Sequence, residues 1–288
     1  MKKQEMCRIF DMSDIEFNEY YLFLEEQIKV FSLKHFPFLN NELPLTSISF
    51  YSLYPLLFRK EFNLESNVLK ELIVYSHFHF ISLFILDKIY DTQTIDNPID
   101  FLVLLEFFAE SKRLTYKYLE KQRSPELSSK IKEFFNNTKT DLYYEKYVYK
   151  RKTLLTSKEL ELHCNNKYAY AKIAVLLYNC YSSAVSEEDI HRLLKSHDYF
   201  SVGRQLMDDI DDYHTDFESD MYNAYTDLFY KRHSKDSKLT ECKQTTDELL
   251  TLANQYFLKS QDILPKRGFE KWKNYIMFYQ NELAKKLG

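Results

Sequence analysis

Residues 203–216 read GRQLMDDIDDYHTD, and at helical spacing Asp208, Asp212 and Asp216 fall at i, i+4 and i+8 on one stripe, with Asp209 and Asp211 off it. Val202, Leu206, Met207 and Ile210 supply apolar neighbours in the same stretch. Upstream, Ser186-Glu187-Glu188-Asp189 is a capping-box start, and Ile190, Leu193 and Leu194 open the apolar stripe that follows. The spacing predicts one long helix over 187–217.

The rest of the chain carries little punctuation. Only 3 Gly and 6 Pro occur in 288 residues, and no proline falls between Pro125 and Pro265. That scarcity argues for long helices and against a many-stranded sheet. Helices are predicted over 13–33, 47–60, 65–92, 99–121, 127–148, 157–184, 187–217, 221–233, 244–261 and 269–286. Breaks are expected at Pro44, at Asn97-Pro98, at Ser124-Pro125 and from Pro265 to Gly268. Residues 234–243 read as a surface loop, and Thr246 as the cap of the helix after it. No solenoid repeat is visible, so the expected fold is all-α: one domain over residues 1–288, a single helical bundle around a central cavity. The 24 Tyr and 23 Phe are more ring surface than a small core needs and are expected to line that cavity.

The formal charge of −4 is small and leaves no basic footprint for nucleic acid. The N-terminal MKKQEMCRIFDMSD has no uninterrupted apolar run and does not read as a secretory signal. The near-apolar run at 72–86 holds Ser76, His77 and His79, which argues against a membrane span. Cys7, Cys164, Cys180 and Cys242 show no C-x-x-C spacing and read as reduced, in keeping with a cytoplasmic protein.

A second acidic feature lies in LIVYSHFHFISLFILDKIYD, residues 72–91, where an apolar helix ends by presenting Asp87 and Asp91 on one face. A lone D-x-x-x-D is usually a solvated helix face. Two such stripes, each beside apolar residues, point instead to a shared cation. Magnesium is the natural choice, since it takes oxygen ligands and often combines one or two carboxylates with phosphates. The sequence holds no H-E-x-x-H, no Cys/His cluster and no glycine-rich phosphate loop. Phosphate would therefore be met by metal and by basic side chains.

At these residues the chain resembles the class I isoprenoid synthases, within them the trans-prenyltransferase (polyprenyl synthetase) branch. The second D-D-x-x-D of that family is intact as Asp208-Asp209-Ile210-Asp211-Asp212, after a lead-in at Gln205-Leu206-Met207, and Asp216 sits where a further aspartate is common. The first motif keeps its outer aspartates as Asp87-Lys88-Ile89-Tyr90-Asp91. The stretch TSKELELHCNNKYAYAK resembles the one ending in the family's K-T dipeptide. The resemblance implies an all-α bundle holding more than one Mg²⁺ on Asp87, Asp91, Asp208, Asp209, Asp212 and Asp216. Of these, Asp87, Asp91, Asp208 and Asp212 would be catalytic. It also implies an allylic prenyl diphosphate held by Lys167 and Gln205, and it leaves a homodimer open; Arg204 departs from the family's usual aromatic there and is expected to reach the same diphosphate. Phe80, Phe84, Tyr168 and Phe200 are expected to wall the pocket, since ring faces stabilise cations.

The family's isopentenyl diphosphate segment falls on Ser49 to Pro55, where only the proline is kept. The lysine expected after the second motif is replaced by the Tyr222-Asn223 region. The resulting expectation is a terpene synthase or cyclase that ionises one allylic diphosphate. A chain-elongating prenyltransferase and a non-catalytic partner subunit are the alternatives, with head-to-head condensation of the squalene and phytoene synthase type a minor one. Lys88 is expected to pair with a carboxylate, and His77 and His79 to face the core.

Overall fold

A computed structural model describes residues 1–39, 48–92, 98–122 and 125–287. The described residues are helical throughout, and no strand occurs among them. Their contacts gather into two compact units, Met1–Leu127 with Leu176–Val185, and Ser128–Val175 with Ser186–Gly288. Of the expected breaks, Pro44, Asn97 and Ser124 lie outside the described residues, while Pro98 and Pro125 open helices.

In the first unit, α1 (Lys3–Phe10) was not expected from the sequence. Next comes α2 (Asp14–His35), where the Ser13 hydroxyl caps the start by accepting the Glu16 N–H at 3.2 Å. The helix expected over 47–60 is instead a 3₁₀ turn, Tyr51–Leu57, which contains Pro55. Proline has no N–H to donate and fixes its own φ, which favours a short tight turn there. α3 (Ser66–Thr92) packs on this turn, on α2 and on α4 (Pro98–Gln122). Phe31, Phe36, Phe78, Ile81, Ile85, Val103, Leu104 and Phe107 form one core cluster among them. By length and composition Ser66–Ile89 could cross a membrane, but 56% of that window is buried inside the protein, as befits a core helix.

α3 also buries polar groups. His77 and His79 face the core, as expected, and burial pushes their imidazoles down to about 3 and about 4, so both are neutral. His77 Nδ1 lies 3.0 Å from the Ser52 hydroxyl.

The second unit begins within α5 (Pro125–Tyr143), which runs into a π-helical turn, Tyr144–Val148. The single helix expected over 157–184 is two, α6 (Ser157–Lys167) and α7 (Ala169–Asn179), broken at Tyr168 with no Gly or Pro to announce it. α8 (Glu187–Glu218) is the long helix foreseen, with Ser186 accepting the Asp189 N–H at 3.1 Å. α9 (Ala224–Arg232), α10 (Lys243–Asp262) and α11 (Glu270–Leu287) follow. Thr246 is not the cap: α10 starts three residues earlier, at Lys243, after Cys242.

α8 is the hub of this unit, in contact with α6, α9, α10 and α11. Gly203 sets its closest approach to α10, because a Cβ there would stand 2.7 Å from the buried Phe257 ring. About two turns earlier, Trp272 of α11 stacks on His197 at 4.2 Å and donates its indole N–H to the Ser196 hydroxyl at 2.8 Å. The stripe of α8 is thereby carried on a fixed helix.

Candidate metal and diphosphate site

The stripe rises from the packed half of α8 into its solvent-facing half. Asp208 is half-buried, Asp212 exposed and Asp216 half-buried, whereas Asp209 is 3% exposed. Asp208 forms an ion pair with Arg204 one turn before it, and the Tyr168 hydroxyl donates to its other oxygen at 3.4 Å. The Arg204 guanidinium also lies 5.0 Å from the centre of the Tyr279 ring on α11, so this cation is held between a carboxylate and an aromatic face.

Asp212 feels its neighbours. Its carboxyl is pushed up by partial burial and by the charges of Asp208 and Asp211, with Arg204 and Lys167 pulling the other way. Asp216 is raised by burial and by Asp212 and Glu145, opposed by Lys167 and by the Asn223 amide, which donates to it at 2.8 Å. Asp211, off the stripe, is paired with Lys286 of α11.

Asp209 has a different task. Gln205 Nε2 donates to one of its oxygens at 2.6 Å and the Ala224 N–H to the other at 2.7 Å. Burial nevertheless lifts its carboxyl to about 7, against those bonds and the nearby Lys167. Asn223 caps α9 and donates to the Asp209 carbonyl at 3.0 Å, so Asp209 and Asn223 together fasten α9 to α8. Asp209 was expected among the metal ligands and Gln205 among the diphosphate contacts. Both are spent on this internal junction.

Lys167, at the end of α6, pairs with Glu145 at 2.9 Å while its charge also acts on Asp209, Asp212 and Asp216. Glu145 had no part in the sequence reading, and neither had the buried Asp141–His163 pair at 2.9 Å. A signal for both was present: Asp141 and Glu145 are spaced as His163 and Lys167 are, at the same offset of 22.

Of the expected wall residues, Tyr168 borders Asp208. Phe200 is enclosed by Phe257, Trp272, Tyr275 and Tyr279 and serves the core of the second unit. Phe80 and Phe84 belong to the first unit. Phe80 stacks on Tyr51 at 5.0 Å, and Phe84 is 49% exposed. Asp87, in the same unit, is half-buried, and its neighbour Lys88 lies 3.6 Å from Asp100 of α4, the carboxylate pairing expected of it. The Asp91 side chain lies outside the described residues.

Among the described residues, no three His, Cys, Asp or Glu side chains converge closely enough to hold a metal ion by themselves. The chain matches no protein-family model, no curated protein and no solved structure, so the meaning of this site is read from its own residues.

Proposed function

We propose that this chain is a Mg²⁺-dependent class I terpene synthase that ionises an allylic prenyl diphosphate, releasing pyrophosphate and a terpene. The observation that carries the reading is the charge state of the α8 stripe. Asp208 and Asp212 stand one turn apart; partial burial and the charges of Asp208 and Asp211 push the Asp212 carboxyl up, with Lys167 and Arg204 at the edge of the stripe. Such a place carries more carboxylates than cations and suits a divalent cation and a polyanion that arrive together.

The donor set fits magnesium, which keeps several waters and needs only one or two carboxylates when phosphate oxygens complete its shell. Asp208 and Asp212, with Asp216 behind them, are the groups of the second unit that would hold it. When bound, the metal supplies Lewis acidity toward the departing pyrophosphate. Lys167 and Arg204 offer charge-assisted hydrogen bonds to phosphate oxygens, and Tyr168, beside Asp208, is the ring proposed to border the organic tail.

Ionisation without elongation is favoured by the segment Ser49 to Pro55, which contains no Lys or Arg. Ser52 and Tyr54 are buried there, and Ser52 is bonded to His77. Two diphosphates side by side would need several cations in addition to metal. The test offers geranyl, farnesyl and geranylgeranyl diphosphates with Mg²⁺, each with and without isopentenyl diphosphate, and follows pyrophosphate and organic products. Release of pyrophosphate with a terpene from one diphosphate alone is expected. Longer prenyl diphosphates formed only with isopentenyl diphosphate would make it an elongating enzyme, and no turnover in any mixture would favour a non-catalytic subunit.

A further inference from the structure

Beside the α8 stripe, two helices meet through a ladder of acid–base pairs. Asp141 pairs with His163 at 2.9 Å and Glu145 with Lys167 at 2.9 Å, each across 22 residues of chain. Asp141, Glu145 and His163 are all buried. Glu145 is delivered by the π-helical turn Tyr144–Val148, and π turns recur at functional sites because they re-aim a side chain. Lys146 Nζ stands 3.9 Å from the Glu145 oxygen that Lys167 binds, while Glu145 Oε2 is buried without a hydrogen-bond partner. Burial alone would push this carboxyl up, but Lys167, Lys146 and His163 outweigh it and hold it at about 2.

A charged carboxylate is therefore kept in the interior beside a lysine. The Lys167 side chain is 28% exposed, and its ammonium lowers the carboxyls of Asp209, Asp212 and Asp216. One ammonium thus stands between a buried acid on one side and the stripe on the other. Lysine is a compact charge on a flexible four-carbon stem, so its position is set by whichever carboxylate holds it.

We infer that Glu145 is a positioning residue that holds the Lys167 ammonium back from the α8 stripe and so keeps Asp212 and Asp216 open to a divalent cation. The inference rests on the metal and diphosphate reading above. Without the charge of Glu145, the acids left within reach of the Lys167 charge are Asp141 and those of α8, and an ammonium seated on the stripe competes with the metal. With Glu145 in place, Lys167 stays at the margin of the site, where a phosphate oxygen can meet it.

The experiment titrates Mg²⁺ into the full chain by calorimetry at fixed pyrophosphate. It compares the wild type, Glu145→Gln, Lys167→Met and the double variant, with thermal melts alongside. Glu145→Gln is expected to weaken Mg²⁺ binding on the order of tenfold, as changes just outside a ligand shell do. In the Lys167→Met background the same change is expected to have no effect on Mg²⁺ affinity, because no ammonium remains to be restrained. Unchanged Mg²⁺ affinity in Glu145→Gln overturns the inference, and so does a loss that persists in the Lys167→Met background, which a merely structural role would give. If Glu145→Gln does not fold, Glu145→Asp takes its place, with a smaller weakening expected and none overturning the inference. A wild type that takes up no Mg²⁺ with pyrophosphate overturns this inference and the functional reading together.

Discussion

Asp209 and Asp212 stand three residues apart on one helix and live in opposite settings. Asp209 faces inward, bonded to Gln205 and Ala224, and its carboxyl serves the junction of α8 with α9. Asp212 faces outward beside Asp208 and Asp211, where partial burial and then like charges raise its carboxyl. The inward face bonds both Asp209 oxygens to partners of the same chain. The outward face keeps carboxylates together at a cost to the folded state, as sites that bind a cation do.

The sharpest way to break this contrast is to neutralise each side in turn. Asp208→Ala is expected to lower turnover of the allylic diphosphate by about 10²–10³-fold, the usual loss when one group stabilising a developing charge is removed, with helix content unchanged. Asp209→Ala is expected to act on folding first. It leaves the Gln205 amide and the Ala224 N–H without their acceptor, a loss of about 2–3 kcal/mol readable in urea melts. If Asp209→Ala folded as well as Asp208→Ala, the division of labour along α8 would be wrong.

A pH series sharpens the same point. The Asp209 carboxyl sits at about 7 in the folded protein, above the ordinary aspartate value of 3.8, so between those values the folded state binds more protons than the unfolded one. Its contribution is full below about 3.8 and is lost as pH rises through about 7. His77, His79 and His197 run the other way, since burial lowers them to about 3, 4 and 4 and their contribution fades as pH falls below the ordinary imidazole value of 6.5. The histidines are common to both proteins, so their effect cancels when the wild type is compared with Asp209→Asn. That difference in stability should shift toward the wild type by up to about 2–3 kcal/mol between pH 7 and pH 4. A difference that stays flat with pH would show that Asp209 does not titrate there.

Smaller effects test the support of the stripe and its repulsion. Gly203→Ala would place a methyl against the Phe257 ring and is expected to cost about 1–3 kcal/mol in thermal or urea unfolding. Asp212→Asn is expected to raise the stability of the metal-free protein by a few tenths of a kcal/mol, since it removes one of several like charges at helical spacing.

The helix spans were legible where local signals existed. The Ser186 cap and the scarcity of Gly and Pro brought α8 out within a residue, at Glu187–Glu218 against an expected 187–217. The break at Tyr168 was not legible, because the strand of sequence around it has no breaker. Its hydroxyl contact with Asp208 is made across 40 residues. The stripe itself was legible from spacing, yet spacing could not say that Asp209 turns inward. That depends on the Ala224 N–H and on Asn223, which come from beyond the end of α8. Glu145 stayed hidden for a related reason: its place is set by a π-helical turn, and helical spacing assumes there is none.

The central claim is that the carboxylates of the α8 stripe outweigh the cations beside them until a divalent cation and a diphosphate bind together. Thermal shift of the wild type with Mg²⁺ alone, with pyrophosphate alone and with both tests it most directly, because each ligand supplies contacts the other needs. The account predicts small shifts for each alone, a shift with both that clearly exceeds their sum, and loss of that excess in Asp212→Asn. Shifts that simply add, or an excess that survives in Asp212→Asn, would contradict it.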